Sequence, residues 1–125
     1  RPRVLLTTLP GEEHQLGLLM AQACMAVEGA QCVSLGVQTP ARQISLAATA
    51  HRADIVGISF SSAMPLNAAQ SALADVRRQV DPAIAVWAGG SIWQRVRKPL
   101  EGVKLLAMLE DIPASLEEWR PKNPA

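Results

Sequence analysis

Short apolar runs alternate along this chain with stretches whose apolar residues recur every three or four positions, which predicts βαβ units around a parallel sheet. Five runs read as strands: Arg3 to Thr8, Gln31 to Leu35, Ile55 to Phe60, Ile84 to Ala88 and Val103 to Met108. Each is largely apolar, as expected of strands covered on both faces. Between the first two, Leu16, Met20, Ala23 and Val27 recur at helical spacing and Gly29 marks the stop, a helix of about 14 residues. Ile44, Ala47, Ala48 and His51 define a second helix, with Thr39 as its cap and Pro40 in its first turn. Leu66, Ala69, Leu73, Val76 and Val80 define a third, entered at Pro65 and closed by Asp81-Pro82. A short helix is expected from Ser91 to Arg97 before Pro99, and another from Pro113 to Trp119, with Pro121 to Pro124 fraying into solvent.

Right-handed crossovers leave few orders for such a sheet, and 2-1-3-4-5 fits five strands best. The expected fold is α/β, a flavodoxin-like or Rossmann-like three-layer sandwich. Its 125 residues suit a single domain, 1–125, and the abrupt entry through Arg1-Pro2-Arg3 into a strand suggests a fragment of a longer protein. The 12 basic and 11 acidic residues leave a net charge of +1, too little for a nucleic-acid or membrane footprint. No apolar run approaches the roughly 20 residues of a membrane span, so a cytoplasmic domain is expected. Cys24 and Cys32 lie among apolar neighbours and read as buried free thiols.

In an open parallel sheet, ligands bind outside the carboxyl ends of the strands. Three loops gather there. The first carries Leu9-Pro10-Gly11-Glu12-Glu13-His14-Gln15-Leu16-Gly17, the second Ser59-Phe60-Ser61-Ser62, the third Gly89-Gly90. A carboxylate two residues before a histidine can fix the ring's tautomer, and that suits a metal ligand. The bland alternative is a polar loop histidine beside acids at a helix amino terminus. Serine clusters often only cap helices, and glycine pairs often only turn. His51, beside Arg52 in a last helical turn, reads as surface, as do Arg95, Arg97 and Lys98. Trp87 is assigned to the core, and Trp93 to a pocket mouth or partner surface. A phosphorelay receiver would need an aspartate at the end of strand three, where this chain has Ile58-Ser59-Phe60. A dinucleotide site would need Gly-x-Gly-x-x-Gly in the first loop, which is absent.

Taken together, the three loops resemble the cobalamin-binding domain of methionine synthase and its relatives. That family carries Asp-x-His-x-x-Gly after strand one, Ser-x-Leu after strand three and Gly-Gly after strand four, and the resemblance covers nearly the whole chain. It implies cobalamin as cofactor, in adenosyl or methyl form, with His14 as the lower axial cobalt ligand in place of the cofactor's own dimethylbenzimidazole. Glu12 would hydrogen-bond the other ring nitrogen. Gly17 would open room for the nucleotide tail, Ser59 and Ser61 would line its pocket, and Gly89-Gly90 would let the backbone approach the benzimidazole. Gly11 belongs to the same first-loop run. Two departures stand out: Glu12 replaces the family's aspartate, and Ser61 replaces the leucine that packs near the tail.

Corrinoid methyl-transfer proteins follow the motif glycine with lysine and asparagine, whereas this chain has Leu18-Leu19-Met20. The run from Leu9 to Leu18 resembles the carboxy-terminal sensor domain of MerR-type transcriptional regulators. That implies a non-catalytic sensor whose DNA contact comes from a missing amino-terminal domain, working as a homo-oligomer. A cobalamin carrier subunit of a methyltransferase or mutase remains an alternative. So does a domain that has lost its cofactor and serves dimerisation.

Overall fold

The computed structural model describes every residue except Arg97, Pro99 and Ala125. Five parallel strands, β1 (Arg3–Thr7), β2 (Gln31–Ser34), β3 (Ile55–Ser59), β4 (Ala85–Gly89) and β5 (Val103–Leu106), lie in the expected order β2-β1-β3-β4-β5. Four helices cover them: α1 (Leu16–Val27), α2 (Ala41–Ala50), α3 (Leu66–Gln79) and α4 (Asp111–Lys122). No helix among the described residues is long and apolar enough to cross a membrane.

Strand alternation sends successive side chains to opposite faces, so β1, β3, β4 and β5 feed two cores, whereas β2, expected to be covered on both faces, lies at the sheet edge and is exposed but for half-buried Cys32. Leu5, Val56, Ile58, Val86 and Ala88 meet Ile44 and Ala48 of α2 and Leu73 and Val76 of α3. Val4, Leu6, Ile55, Trp87 and Leu106 meet Leu18 and Met25 of α1 and Ile112 and Leu116 of α4. The register places Gly57 opposite Trp87 and Ser59 opposite Gly89, all on this second face.

Several local expectations are corrected. The residues that mark α1's period are not those it buries: Leu18 and Met25 are buried, whereas Leu16, Met20 and Val27 are exposed. A helix with no charged residue has no polar face to show which side meets water. Thr39 does not cap α2. Pro40 takes the cap position with extended backbone, losing nothing for want of an N–H, and the Thr39 hydroxyl pairs instead with that of buried Thr7 at 2.7 Å. The helix expected from Ser91 to Arg97 is a 3-10 helix, Ser91–Arg95, and Arg97 and Pro99 lie outside the described residues.

Nor does the tail fray at Pro121, since α4 runs through it to Lys122. Arg120 pins this end, donating to the carbonyls of Arg1 and Glu28, and Arg1 stacks over the Trp119 ring. Cys24 and Cys32 are free but half-buried, and burial pushes the Cys32 thiol up. His51, Arg95 and Lys98 are exposed, as expected.

Candidate functional site

The loop between β1 and α1 leaves the sheet with its turn held by hydrogen bonds to the loop between β2 and α2. Thr8 Oγ1 donates to the carbonyl of Glu12 at 2.7 Å and accepts the Gln38 N–H at 2.8 Å. The Thr39 N–H reaches the Thr8 carbonyl at 2.8 Å, and Gly11, at φ +93°, donates its N–H to Gln38 Oε1 at 3.2 Å. Buried Thr7 and Thr8 are thus fully partnered, which a polar group out of water requires. Gly11 serves the turn and lies outside the cavity described below. Sequence reasoning missed this prop. Gln38 sits at φ 58°, a backbone position that its residue type does not announce.

That loop delivers Glu12 and His14 together. Glu12 is only 2% exposed, whereas the His14 side chain is 64% exposed. Glu12 Oε2 lies 2.7 Å from His14 Nδ1, Oε1 accepts the Ser61 N–H at 2.6 Å, and Oε2 also accepts the Ser61 hydroxyl at 2.9 Å. Burial opposes ionisation of this carboxyl, but the bonds from the Ser61 N–H, the His14 ring and the Ser61 hydroxyl outweigh it. The Glu12 carboxyl is therefore held below the usual carboxylate range. An ionised carboxylate only accepts, so Nδ1 carries a ring proton and Nε2 is the nitrogen left for a ligand. Nothing among the described residues hydrogen-bonds Nε2.

Ser61 therefore does not stand in for a packing leucine. It locks the second loop to the first through the carboxylate. Its partner lies 49 residues away in sequence, which is why the pattern alone did not assign it this role.

Beside His14 a cavity of about 280 Å³ opens between the sheet, α1 and α4. Ligand pockets run roughly 300–1,000 Å³, so this one lies just under the lower end of that range. Its apolar walls include Leu6, Leu18, Met25, Trp87, Leu106 and Ile112, and four glycines, Gly17, Gly57, Gly89 and Gly90, thin them. His14, Ser59 and Ser61 stand at the lining as well, so six of the eight residues singled out in sequence line the cavity, Glu12 stands behind His14 and Ser61, and Gly11 lies apart.

The glycines differ in what they leave room for. A Cβ on Gly17 would lie 3.1 Å from Ser59 Oγ, and one on Gly89 would meet nothing nearer than 3.8 Å. A Cβ on Gly90, at φ +134°, would come within 2.2 Å of the Phe60 carbonyl oxygen. Gly90 thus serves the close approach of its own chain to the β3 loop, and Gly89 is the one whose missing side chain opens the cavity.

Gly57 and Trp87 were not singled out as lining residues. An isolated glycine inside an apolar strand was the available signal. The two tryptophans divide otherwise than expected at the cavity. Trp93 is 3% exposed in the α2/α3 core, edge-on to Phe60 with ring centroids 4.9 Å apart, so it covers no pocket mouth. Trp87 is core, as expected, and also walls the cavity.

No group of three or more His, Cys, Asp or Glu among the described residues could hold a metal ion. A lone histidine donor suits a metal that arrives with its other positions filled.

A family model described as B12 binding domain matches residues 2–99. The chain is similar to the HTH-type transcriptional repressor CarH of Myxococcus xanthus, 31% identical over 86 residues. That match takes in 69% of this chain and 29% of the repressor, so the chain spans under a third of that relative. Among solved structures it is similar to a cobalamin-binding protein from Desulfitobacterium hafniense, with TM-score 0.73 and 19% identity over 96% of this chain and 60% of that one. The methanol:cobalamin methyltransferase complex MtaBC from Methanosarcina barkeri is similar at TM-score 0.74 and 16% identity, over 94% of this chain and 45% of that one. At those identities the likeness is one of fold.

Proposed function

The chain belongs to the B12-binding domain family, whose cofactor is cobalamin, and from that premise we propose that it is the cobalamin-sensing domain of a MerR-type transcriptional regulator. His14 is the lower axial cobalt ligand in this reading, and Glu12 and Ser61 hold its ring. The observation that carries it is the 2.7 Å contact between Glu12 Oε2 and His14 Nδ1, which leaves Nε2 bare at the open edge of the sheet. A metal-ligating histidine commonly gives its other nitrogen to a carboxylate in this way.

The residues present fit the cofactor. The cavity next to His14 is apolar and thinned where Gly89 has no side chain, and it would house the nucleotide tail. Bound cobalamin supplies a cobalt–carbon bond whose state the protein can read. The chain's own part is to orient the imidazole, keep its tautomer fixed and house the tail away from water.

The likeness to CarH and the apolar run Leu18-Leu19-Met20 support the sensor over a methyl carrier. DNA contact then comes from a domain outside these residues, and homo-oligomerisation belongs to the full-length protein. A carrier subunit is the second reading, favoured by the fold likeness to the corrinoid proteins of methyl transfer.

Titration with adenosylcobalamin tests the site. The parent should give the absorption spectrum of a histidine-ligated corrinoid, and His14→Ala should not. Glu12→Gln should keep the spectrum with affinity lower by roughly tenfold. A His14→Ala protein with the parent's spectrum and affinity would overturn the ligand assignment. In the full-length protein, adenosylcobalamin should change operator affinity if the domain is a sensor. Methyl transfer to an acceptor, with operator affinity unchanged, would select the carrier.

A further inference from the structure

Neither core nor slot accounts for the outer face of α1. Leu16, Leu19, Met20, Ala23 and Val27 all lie exposed there, at the spacing i, i+3, i+4, i+7 and i+11 that gathers them into one stripe along a helix. The helix has no charged residue. In the same fold α3 shows how a helix meets water: it buries Ala69, Leu73 and Val76 and turns Asn67, Ser71 and Arg78 outward. On α1 the four large side chains of the stripe expose roughly 450 Å² of apolar surface, the size of patch that on a monomer is often functional. Apolar residues scattered singly over a surface need no explanation, but a contiguous stripe does.

Shape and charge select what covers it. The stripe is convex and runs the length of a helix, so it suits a second helix packed along it and not a small molecule, which needs a concave site. A membrane surface is a poor match, because α1 has no Lys or Arg to meet lipid headgroups. A second copy of the same stripe, laid antiparallel about a two-fold axis, fits on both counts. Leu16 then faces the partner's Val27 and Met20 faces the partner's Ala23, so that a long side chain meets a short one. No like charges meet along the seam. Its ends also complement each other: exposed Glu13 precedes the amino end of α1, and the Arg120 guanidinium sits at the carboxyl end, where it donates to the Glu28 carbonyl. Parallel pairing would instead set Glu13 against its own copy.

We propose that the exposed stripe of α1 is a self-association face, through which two copies of this domain pair as antiparallel helices about a two-fold axis. Doubled, the patch buries on the order of 900 Å², just under the roughly 1,000 Å² that a stable specific interface should clear, so the pair is weak and forms as concentration rises. The inference goes beyond the sensor reading: it gives homo-oligomerisation a surface, and it holds whether or not His14 binds cobalt. The slot lies on the other side of α1, behind Leu18 and Met25, so pairing leaves cobalamin binding unchanged.

Sedimentation equilibrium of the unmodified chain, without cofactor, tests the proposal over about 1–300 µM, the range in which a weak pair dissociates. A reversible monomer–dimer equilibrium is expected. Met20→Glu sets two carboxylates into the middle of the seam and is expected to weaken pairing at least roughly tenfold. Urea unfolding at about 1 µM, where the chain is monomeric, should not change with it, which separates loss of pairing from loss of fold. Glu13→Lys should weaken pairing severalfold at low salt and little at high salt. Val33→Lys, on the open edge of β2, should pair like the parent. A chain that stays monomeric at the highest concentration would overturn the proposal. So would a dimer lost in Val33→Lys and kept in Met20→Glu, because the contact would then lie at the sheet edge. A Glu13→Lys protein that pairs like the parent at low salt would rule out the antiparallel arrangement.

Discussion

On the α2/α3 face of the sheet, Val56 and Ile58 of β3 and Val86 and Ala88 of β4 fill the space up to Ile44, Leu73 and Val76. On the opposite face the same two strands present Gly57, Ser59 and Gly89 around Trp87, and a cavity of about 280 Å³ remains under α1 and α4. Both faces come from the same strands at the same pleat, so the difference lies wholly in which residues occupy alternate positions. One face is a packed core. The other gives up packing contacts, each worth little alone and much in sum, to keep a slot open beside His14. A ligand that fills the slot would restore those contacts, so this half of the molecule should gain stability on loading.

The largest expected effect breaks or keeps that contrast directly. Leu73→Ala removes a side chain with no exposure from the packed face and should cost about 2–5 kcal/mol. Leu18→Ala, at 3% exposure on the hollow face, should cost about half as much in the cofactor-free protein, because part of the Leu18 surface already borders the cavity. Urea unfolding of both variants gives the comparison. Equal losses would mean that the α1 side closes onto the sheet when nothing fills it.

Next in size is the glycine pair after β4, whose members should come apart. Gly90→Ala meets the Phe60 carbonyl oxygen at 2.2 Å and keeps an unfavourable φ of +134°, so it should destabilise by about 1–3 kcal/mol or more. Gly89→Ala meets nothing closer than 3.8 Å. It should leave stability unchanged or raise it by about 0.4–1 kcal/mol through the unfolded chain. Cobalamin affinity should nonetheless fall, because the new methyl group occupies the slot. Thermal unfolding paired with cobalamin titration reads both. A Gly89→Ala protein that binds cobalamin like the parent would place the tail elsewhere.

How far the sequence reveals these two faces depends on which physical signal each residue carries. Strand order and the four α-helices were legible, since apolar runs and helical spacing recur with turn residues between them and crossovers have one hand. The Glu12-x-His14-x-x-Gly17 run was legible for a different reason: its members are near neighbours, so spacing alone puts carboxylate beside ring. The bond from Ser61 to Glu12 was not legible, because it closes through the fold and not along the chain. Trp93 was placed at a pocket mouth since nothing in Ser91-Ile92-Trp93 says which way a 3-10 helix turns its indole. The hollow of the slot was half legible: Gly17 and Gly89 were singled out, but Gly57 passed as one residue of an apolar strand.

The smallest effect concerns α1, where the sequence is least able to tell the faces apart. Its twelve residues, Leu16–Val27, carry no charge. Leu16, Met20, Ala23 and Val27 trace a helical stripe as regular as any in the chain, yet Leu16 is 71% exposed and Val27 86%. Burial runs instead through Leu18 and Met25, which face the slot from the other side of the same helix. Val27→Lys should therefore change stability by no more than about 0.5 kcal/mol, the range of a surface substitution. It should also leave cobalamin affinity as it was. Met25→Lys, two residues away, would force an ammonium against the apolar slot wall and should lower both. Urea unfolding and cobalamin titration of the two variants check the pair. If Val27→Lys costs as much as a core substitution, the stripe is buried in solution, and the slot must then be lined by a different face of α1.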